Sequence, residues 1–184
     1  MTHPERKIIF RHVTRQDVER VANWLQDEDV ADSWFGRYSY GDPAHLGYHP
    51  EEASTSNEKD FNRIFDDPEH VIFSVDTEEG EHIGEAHIAI EESIGGGQIS
   101  ILIGAKEKWH DGYGTATAKE LIRQSFEVHH LYHIWADVPI YNEAAHNMFL
   151  HLGFTHEGTL RQSRPHHGAR FDSVILGMLI EEYS

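Results

Sequence analysis

Apolar residues fall along this chain in two rhythms, one suited to strands and one to helices. Lys7 to Val13 is β-branched and partly alternating, which predicts a first strand. Thr14-Arg15-Gln16-Asp17 then reads as a helix-start signal, with Val18, Val21, Ala22 and Leu25 following at helical spacing. Residues 28 to 60 hold few aliphatics and many Gly, Pro, Ser, Tyr and Asp. They predict a long loop with one short helix from about Glu51 to Phe65, and a loop of that length points to a substrate wall. From Val71 the pattern returns to strands: Val71 to Val75, a Glu78-to-Glu81 turn, His82 to Glu92 as hairpin partner, then Ile99 to Ile103. Gly112 to His129 carries Ala116, Leu121, Ile122 and Phe126 at helical spacing. Ile134 to Val138 predicts a strand, and Asn142 to Leu152 a short helix stopped by Gly153. Phe154 to Arg161 and Phe171 to Ile180 close the chain as a hairpin around His166-His167-Gly168. With no internal repeat, low-complexity tract or linker, residues 1–184 read as one α+β domain.

Composition narrows the class. The 184 residues carry 15 Lys+Arg against 32 Asp+Glu, a net charge of −17, with 39% hydrophobic residues. That describes a folded, strongly acidic chain. Nucleic acid is excluded as a general partner, because binding it needs a basic face that releases counterions. Adhesion to anionic membrane is disfavoured in the same way. A cationic substrate fits, since an acidic surface concentrates amines. The absence of cysteine removes disulfides, thiolate metal sites and a cysteine nucleophile. No apolar run approaches the roughly 20 residues that span a bilayer. The N-terminus lacks a signal-peptide pattern, so a cytoplasmic protein is expected.

The segment richest in chemistry runs from Ile101 through Trp109-His110-Asp111-Gly112-Tyr113-Gly114-Thr115-Ala116. A strand ends, a loop follows and a Gly-x-Gly opens a helix. Glycines let the backbone approach a ligand, and the bare N–H groups of a helix start favour an anion. No Walker lysine is present and the third glycine of a dinucleotide fingerprint is missing. An ordinary glycine-rich helix start reads equally well from this segment by itself.

A second segment adds to it: Asn142-x-x-Ala145, Leu152-Gly153-Phe154 and Glu157-Gly158. Together with Trp109-x-x-Gly112-Tyr113-Gly114-Thr115-Ala116, these resemble the GNAT N-acetyltransferase superfamily. The similarity is greatest to the branch holding the Rim-type ribosomal-protein and spermidine acetyltransferases. Phe10-Arg11, Asp17, Trp24-Leu25 and Gly168-x-Arg170-x-Asp172 share in it. The resemblance covers nearly the whole chain and is weakest over residues 30 to 70. It implies a GNAT-like fold, with a central, splayed, mixed and mostly antiparallel sheet of about seven strands flanked by about four helices. Acetyl-CoA, as co-substrate, would lie in the gap between two parallel strands. Its pyrophosphate would rest on backbone N–H groups from His110 through Asp111, Gly112, Tyr113 and Gly114 to Thr115, with Trp109 and Ala116 also counted among the cofactor-binding residues. Leu102, Ile103 and Gly104 would pair with the pantetheine arm by strand addition. Asn142 and Ala145 would meet the cofactor from the second half of the gap, a role compatible with Asn142 capping its helix.

Acetyl transfer to an amine requires a deprotonated amine, an oxyanion donor and a proton for the departing thiolate. Asp137 stands where related enzymes can carry an acidic base. Glu85 and His87, two apart on one strand, are alternates. A solvated or structurally bonded side chain remains the plain alternative for each. Members of the family often place a Tyr, as thiolate acid, where this chain has Phe149, or a Ser where it has Ala145, and neither hydroxyl is present. Tyr141 stands in as candidate acid or as a packed neighbour. Trp34, Phe35, Tyr38, Tyr40 and Tyr48, with Asp29, Asp32, Asp42, Glu51 and Glu52, would make an anionic aromatic acceptor pocket, or simply cover the sheet. The 16 histidines cluster at His129-His130-x-x-His133 and His166-His167. Neither cluster recurs with an acid at ligand spacing, so no metal is expected. The expected activity is acetyl transfer to a primary amine (a protein N-terminus, a polyamine or another small amine) by direct attack in a ternary complex. A non-catalytic acyl-CoA-binding module is the alternative. A homodimer is the expected assembly.

Overall fold

The computed structural model describes residues 5–34 and 48–184, together with the backbone of 37–38 and 42–43. Phe35, Tyr40 and the side chains of Tyr38 and Asp42 lie outside the described residues. The chain forms β1 (Ile8–Arg11), α1 (Arg15–Trp24), α2 (Glu28–Ser33) and a small hairpin of β2 (Arg37–Tyr38) and β3 (Asp42–Pro43). It continues with α3 (Pro50–Thr55), α4 (Glu58–Phe65), β4 (His70–Thr77), β5 (His82–Glu91), β6 (Gly96–Ile103) and α5 (Tyr113–Arg123). β7 (His133–Pro139), α6 (Glu143–His151), β8 (Thr155–His166) and β9 (Ala169–Leu179) complete it. Seven strands share one sheet in the order β1-β4-β5-β6-β7-β9-β8.

Every pairing in that sheet is antiparallel except β6 with β7. Those two run parallel, and only Gly96, Gly97 and Gln98 find partners, in His133, Ile134 and Trp135. Beyond them the strands part, so Ile99 to Ile103 and Ala136 to Pro139 border an open wedge. The sheet is thus the splayed, mostly antiparallel one that the resemblance implies.

Strand alternation sorts the side chains onto two faces. Ile83, Ala86, Ile88, Ile99, Ile101, Ile134, Ala136, Val138, Leu176 and Met178 face α5 and α6, and join Leu121, Phe126 and Phe149 in one core. Ile72 and Leu102 face the other way, beneath α1 to α4, with Val18, Val21, Trp34, Tyr48, Phe61 and Phe65. Ser74, Glu85, His87, Ser100 and Asp137 alternate onto this second face, and all are buried.

Local signals account for most element ends. Thr14 caps α1 in a reciprocal box with Asp17, as its spacing predicts. Gly153 takes φ +95° after α6. Where one helix is expected from Glu51 to Phe65 there are two, because Ser56 leaves the helical region and Asn57 caps α4 through Asp60 N. The 28–60 region also begins with a short helix, α2, capped by Asp27. The helix expected over Gly112 to His129 ends as α at Arg123 and widens into a π turn over Gln124–Val128 that buries Phe126. β8 runs on through Arg164 to His166, past a break in register at Leu160 to Arg164 where Gln162 adopts φ +51°. No helix among the described residues is long and apolar enough to cross a membrane.

Candidate active site

The wedge between β6 and β7 opens onto a cleft of about 470 Å³. Ile101 and Ile103 form one wall, Asn142, Ala144, Ala145 and Met148 of α6 the other, and Ser33 of α2 closes one end. Trp109, His110, Gly112, Gly114 and Thr115 make the floor at the start of α5.

That floor is shaped by two left-handed residues, His110 at φ +62° and Gly112 at φ +89°. Gly112 is the N-cap of α5 and supplies no side-chain cap. The first-turn N–H groups therefore face the cleft without a capping oxygen, the arrangement in which a helix start holds an anion. Gly114 adds no side chain to the floor; a Cβ there would meet only Met148 Sδ, at 3.8 Å. The loop is pinned at both ends. Trp109 Nε1 donates to Ile103 O at 2.7 Å, and Arg6 Nε donates to Asp111 O at 3.0 Å.

Several residues expected in the cradle turn their side chains away from the cleft. Leu102 is 1% exposed within the core beneath α1 to α4. Gly104 N donates to Ile83 O at 2.9 Å, toward β5, and Gly104 packs under the indole of Trp24. Ile101 and Ile103 line the cleft, so of the expected Leu102-to-Gly104 edge Ile103 does so. Asp111 pairs with Arg6, and Tyr113 is buried with the Arg6 guanidinium 5.1 Å from its ring. Ala116 faces a different groove, beside Ile8 and Lys119. Trp109, His110, Gly112, Gly114, Thr115, Asn142 and Ala145 do meet in the cleft with Ile103. Asn142 caps α6 through Ala145 N at 3.1 Å, and its amide donates to Ser33 O at 3.2 Å. It thereby ties α2 to the cleft rim.

The candidate proton-transfer groups lie behind these walls on the face beneath α1 to α4. Glu85, 1% exposed, accepts from the Tyr48 hydroxyl at 2.6 and 2.7 Å. His87 Nε2 stands 3.4 Å from Glu85 Oε2, with its ring parallel to that of Tyr48 and edge-on to Trp34. Burial and the Glu85 charge push the Tyr48 hydroxyl far above the usual phenol range, so it stays a donor. Asp137, beyond the splay on β7, forms a buried ion pair with Arg164 at 2.7 Å. Burial lowers the Arg164 guanidinium from its usual range, against the pull of Asp137. Tyr141 is half-buried and stacks on His166 at 3.8 Å. Burial raises its hydroxyl, while Arg164 opposes and Asp32 adds to the shift. Phe149 is fully buried against Phe154, and Ala145 lines the cleft. Among these, Arg164 carries no recognisable signal in the sequence, and Tyr48, expected as a pocket aromatic, gives no sign there of its bond to Glu85, 37 residues away.

Comparison with known proteins adds the family. The profile of the acetyltransferase (GNAT) domain matches residues 7–155. The chain belongs to the GNAT acetyltransferase family. It is thus an N-acetyltransferase, of a family whose acetyl donor is acetyl-CoA. A search of the curated proteins found no match. Among solved structures, the acetyltransferase is similar to spermidine N-acetyltransferase from Vibrio cholerae in complex with CoA and spermine. The identity is 20% over 96% of this chain and 97% of that one, with a TM-score of 0.80. A dodecameric form of the Vibrio cholerae enzyme is similar at 20% identity over 95% of both chains, with a TM-score of 0.76. A probable acetyltransferase matches at 22% identity over 99% of this chain and 97% of that one, at 0.78. At these identities the likeness concerns the fold.

Proposed function

We propose that the enzyme moves the acetyl group of acetyl-CoA to a primary amine by direct attack in a ternary complex. The observation that carries this reading is the wedge between β6 and β7, with the uncapped start of α5 at its mouth. In this reading the N–H groups of Gly112 to Thr115 take the pyrophosphate, and Ile101 and Ile103 offer their edge to the pantetheine arm. The amine approaches from the face beneath α1 to α4, where the carboxylates of Glu85 and Asp137 flank the splay from β5 and β7. Glu85, oriented by Tyr48 and assisted by His87, receives the ammonium proton through water. Asp137 with Arg164 holds the far side in place, and Tyr141, next in the chain to Asn142 of the cleft wall, is the candidate acid for the departing thiolate.

A cationic acceptor, such as a polyamine or a protein N-terminus, fits a chain of net charge −17. Lys106 pairs with Asp27 and Asp29, and Lys108 with Glu81, so neither lysine offers an unneutralised charge to a phosphate. Backbone dipoles then carry the recognition of the donor. The whole of residues 1–184 acts as one domain, since both cores share one sheet, and we retain a cytoplasmic homodimer as the working assembly. Thiol release with acetyl-CoA and a panel of peptides, polyamines and aminoglycosides tests the activity. Glu85→Gln is expected to cut kcat by about 10²-fold or more while leaving acetyl-CoA affinity unchanged. Full activity in that variant would remove Glu85 from the role, and no turnover with any amine would favour a non-catalytic acyl-CoA-binding module.

A further inference from the structure

Away from the cleft walls, α2 meets the tip of the β8–β9 hairpin. Asp32 Oδ2 stands 3.7 Å from His166 Nδ1 and 3.6 Å from His167 Nε2. One ligand atom from each of the three residues lies within 4.8 Å of the others. These separations exceed a hydrogen bond, which needs about 2.7–3.2 Å between heavy atoms. The two separations from Asp32 lie close to the edge of a coordination tetrahedron, in which metal–ligand bonds of about 2.0–2.2 Å put neighbouring ligand atoms about 3.3–3.6 Å apart.

Neighbouring residues of a regular strand point to opposite faces. Here His167 takes φ +46°, and the two imidazoles stand on one side with ring centroids 4.1 Å apart. The Tyr141 ring stacked at 3.8 Å fixes the plane of His166. His167 turns Nε2 to Asp32 and its other nitrogen, Nδ1, to Glu28 Oε1 at 3.7 Å. Glu28 thus stands on the side of the His167 ring away from Asp32, the side from which an outer carboxylate approaches a metal-bound histidine.

We propose that Asp32, His166 and His167 bind one divalent transition-metal ion of the zinc class, with Glu28 as outer-shell partner of His167. Two nitrogens and one carboxylate oxygen are borderline ligands suited to zinc, and solvent completes the set. The ion would clasp α2 to the hairpin tip. Since Ser33 of α2 lines the cleft and Tyr141 adjoins Asn142, the clasp would stiffen that end of the cleft rim. Local spacing hides the group, because Asp32 joins it from the opposite end of the chain.

The test uses full-length, tag-free protein stripped with chelator and titrated with zinc chloride, and in parallel with cobalt chloride to read coordination geometry from absorption. Asp32→Asn and His167→Gln are the variants; His167 is 62% exposed, so its replacement leaves the fold intact. His151→Gln, at an exposed site elsewhere, is the control. One equivalent bound in wild type and control, weakened about tenfold or more in both variants, supports the site. Absence of an equivalent tighter than about 0.1 mM, or its retention in either variant, overturns it.

Discussion

Replacing Tyr48 with Phe removes one oxygen atom from the buried face of the sheet. That oxygen donates to Glu85, whose carboxylate is 1% exposed beneath Trp34 and His87. A hydrogen bond to a charged group contributes about 1.5–3 kcal/mol, and the stranded acceptor makes the upper half of that range the better figure. Unfolding entropy near 2.1 cal/mol/K per residue gives about 0.39 kcal/mol/K for 184 residues. The variant should therefore melt about 6–8 °C below wild type. Scanning calorimetry on Tyr48→Phe, Glu85→Gln and the double variant closes a cycle. The pair should couple by about 1 kcal/mol or more, since Tyr48→Phe has little left to lose once the charge is gone. A Tm within about 1 °C of wild type for Tyr48→Phe, or strict additivity, would refute the claim that this hydroxyl supports that carboxylate.

Gly104→Ala and Gly114→Ala should move stability in opposite directions. A Cβ on Gly104 would fall 2.0 Å from Trp24 Cε3, and such overpacking costs about 1–3 kcal/mol, whereas Gly114 has room and gains about 0.5–1 kcal/mol of helix propensity; urea midpoints read both. Asp17 predicts a pH dependence. Burial raises its carboxyl, but hydrogen bonds from Arg11 and Thr14 outweigh that and hold it well below the usual range. Its contribution to stability is then complete above the unfolded value near 3.9 and is lost as pH falls below it. Asp17→Asn should lower stability at pH 7 and flatten the loss of stability below about pH 4, which urea melts across that range would check.

Much of this arrangement is written locally. The alternation of Ile99 to Ile103 and Ile134 to Val138, the Thr14–Asp17 box and the Gly153 stop each depend on neighbours a few residues away, and each reads directly. The helix start at Gly112 and the cap at Asn142 read equally well, because each is encoded by consecutive residues. What stays hidden is set by pairing across the chain. Which face of β6 meets the wedge depends on its register with β5, so Leu102 and Ile101 are indistinguishable in sequence. The lysines at 106 and 108 look like a basic island until α2 and Glu81 arrive to neutralise them. Arg164 sits in a stretch that reads as loop, and its ion pair with Asp137 shows what it meets at 1% exposure.

Calorimetric titration of acetyl-CoA into the wild type and into Gly114→Leu tests the central claim most directly. Leucine suits a helix and a Cβ is tolerated at this position, while the longer side chain fills the floor of the cleft. The wild type should bind one equivalent, and the variant should keep its Tm while losing about 30-fold or more in affinity. No binding by the wild type at millimolar donor, or equal binding by both proteins, would contradict the placement of acetyl-CoA between β6 and β7.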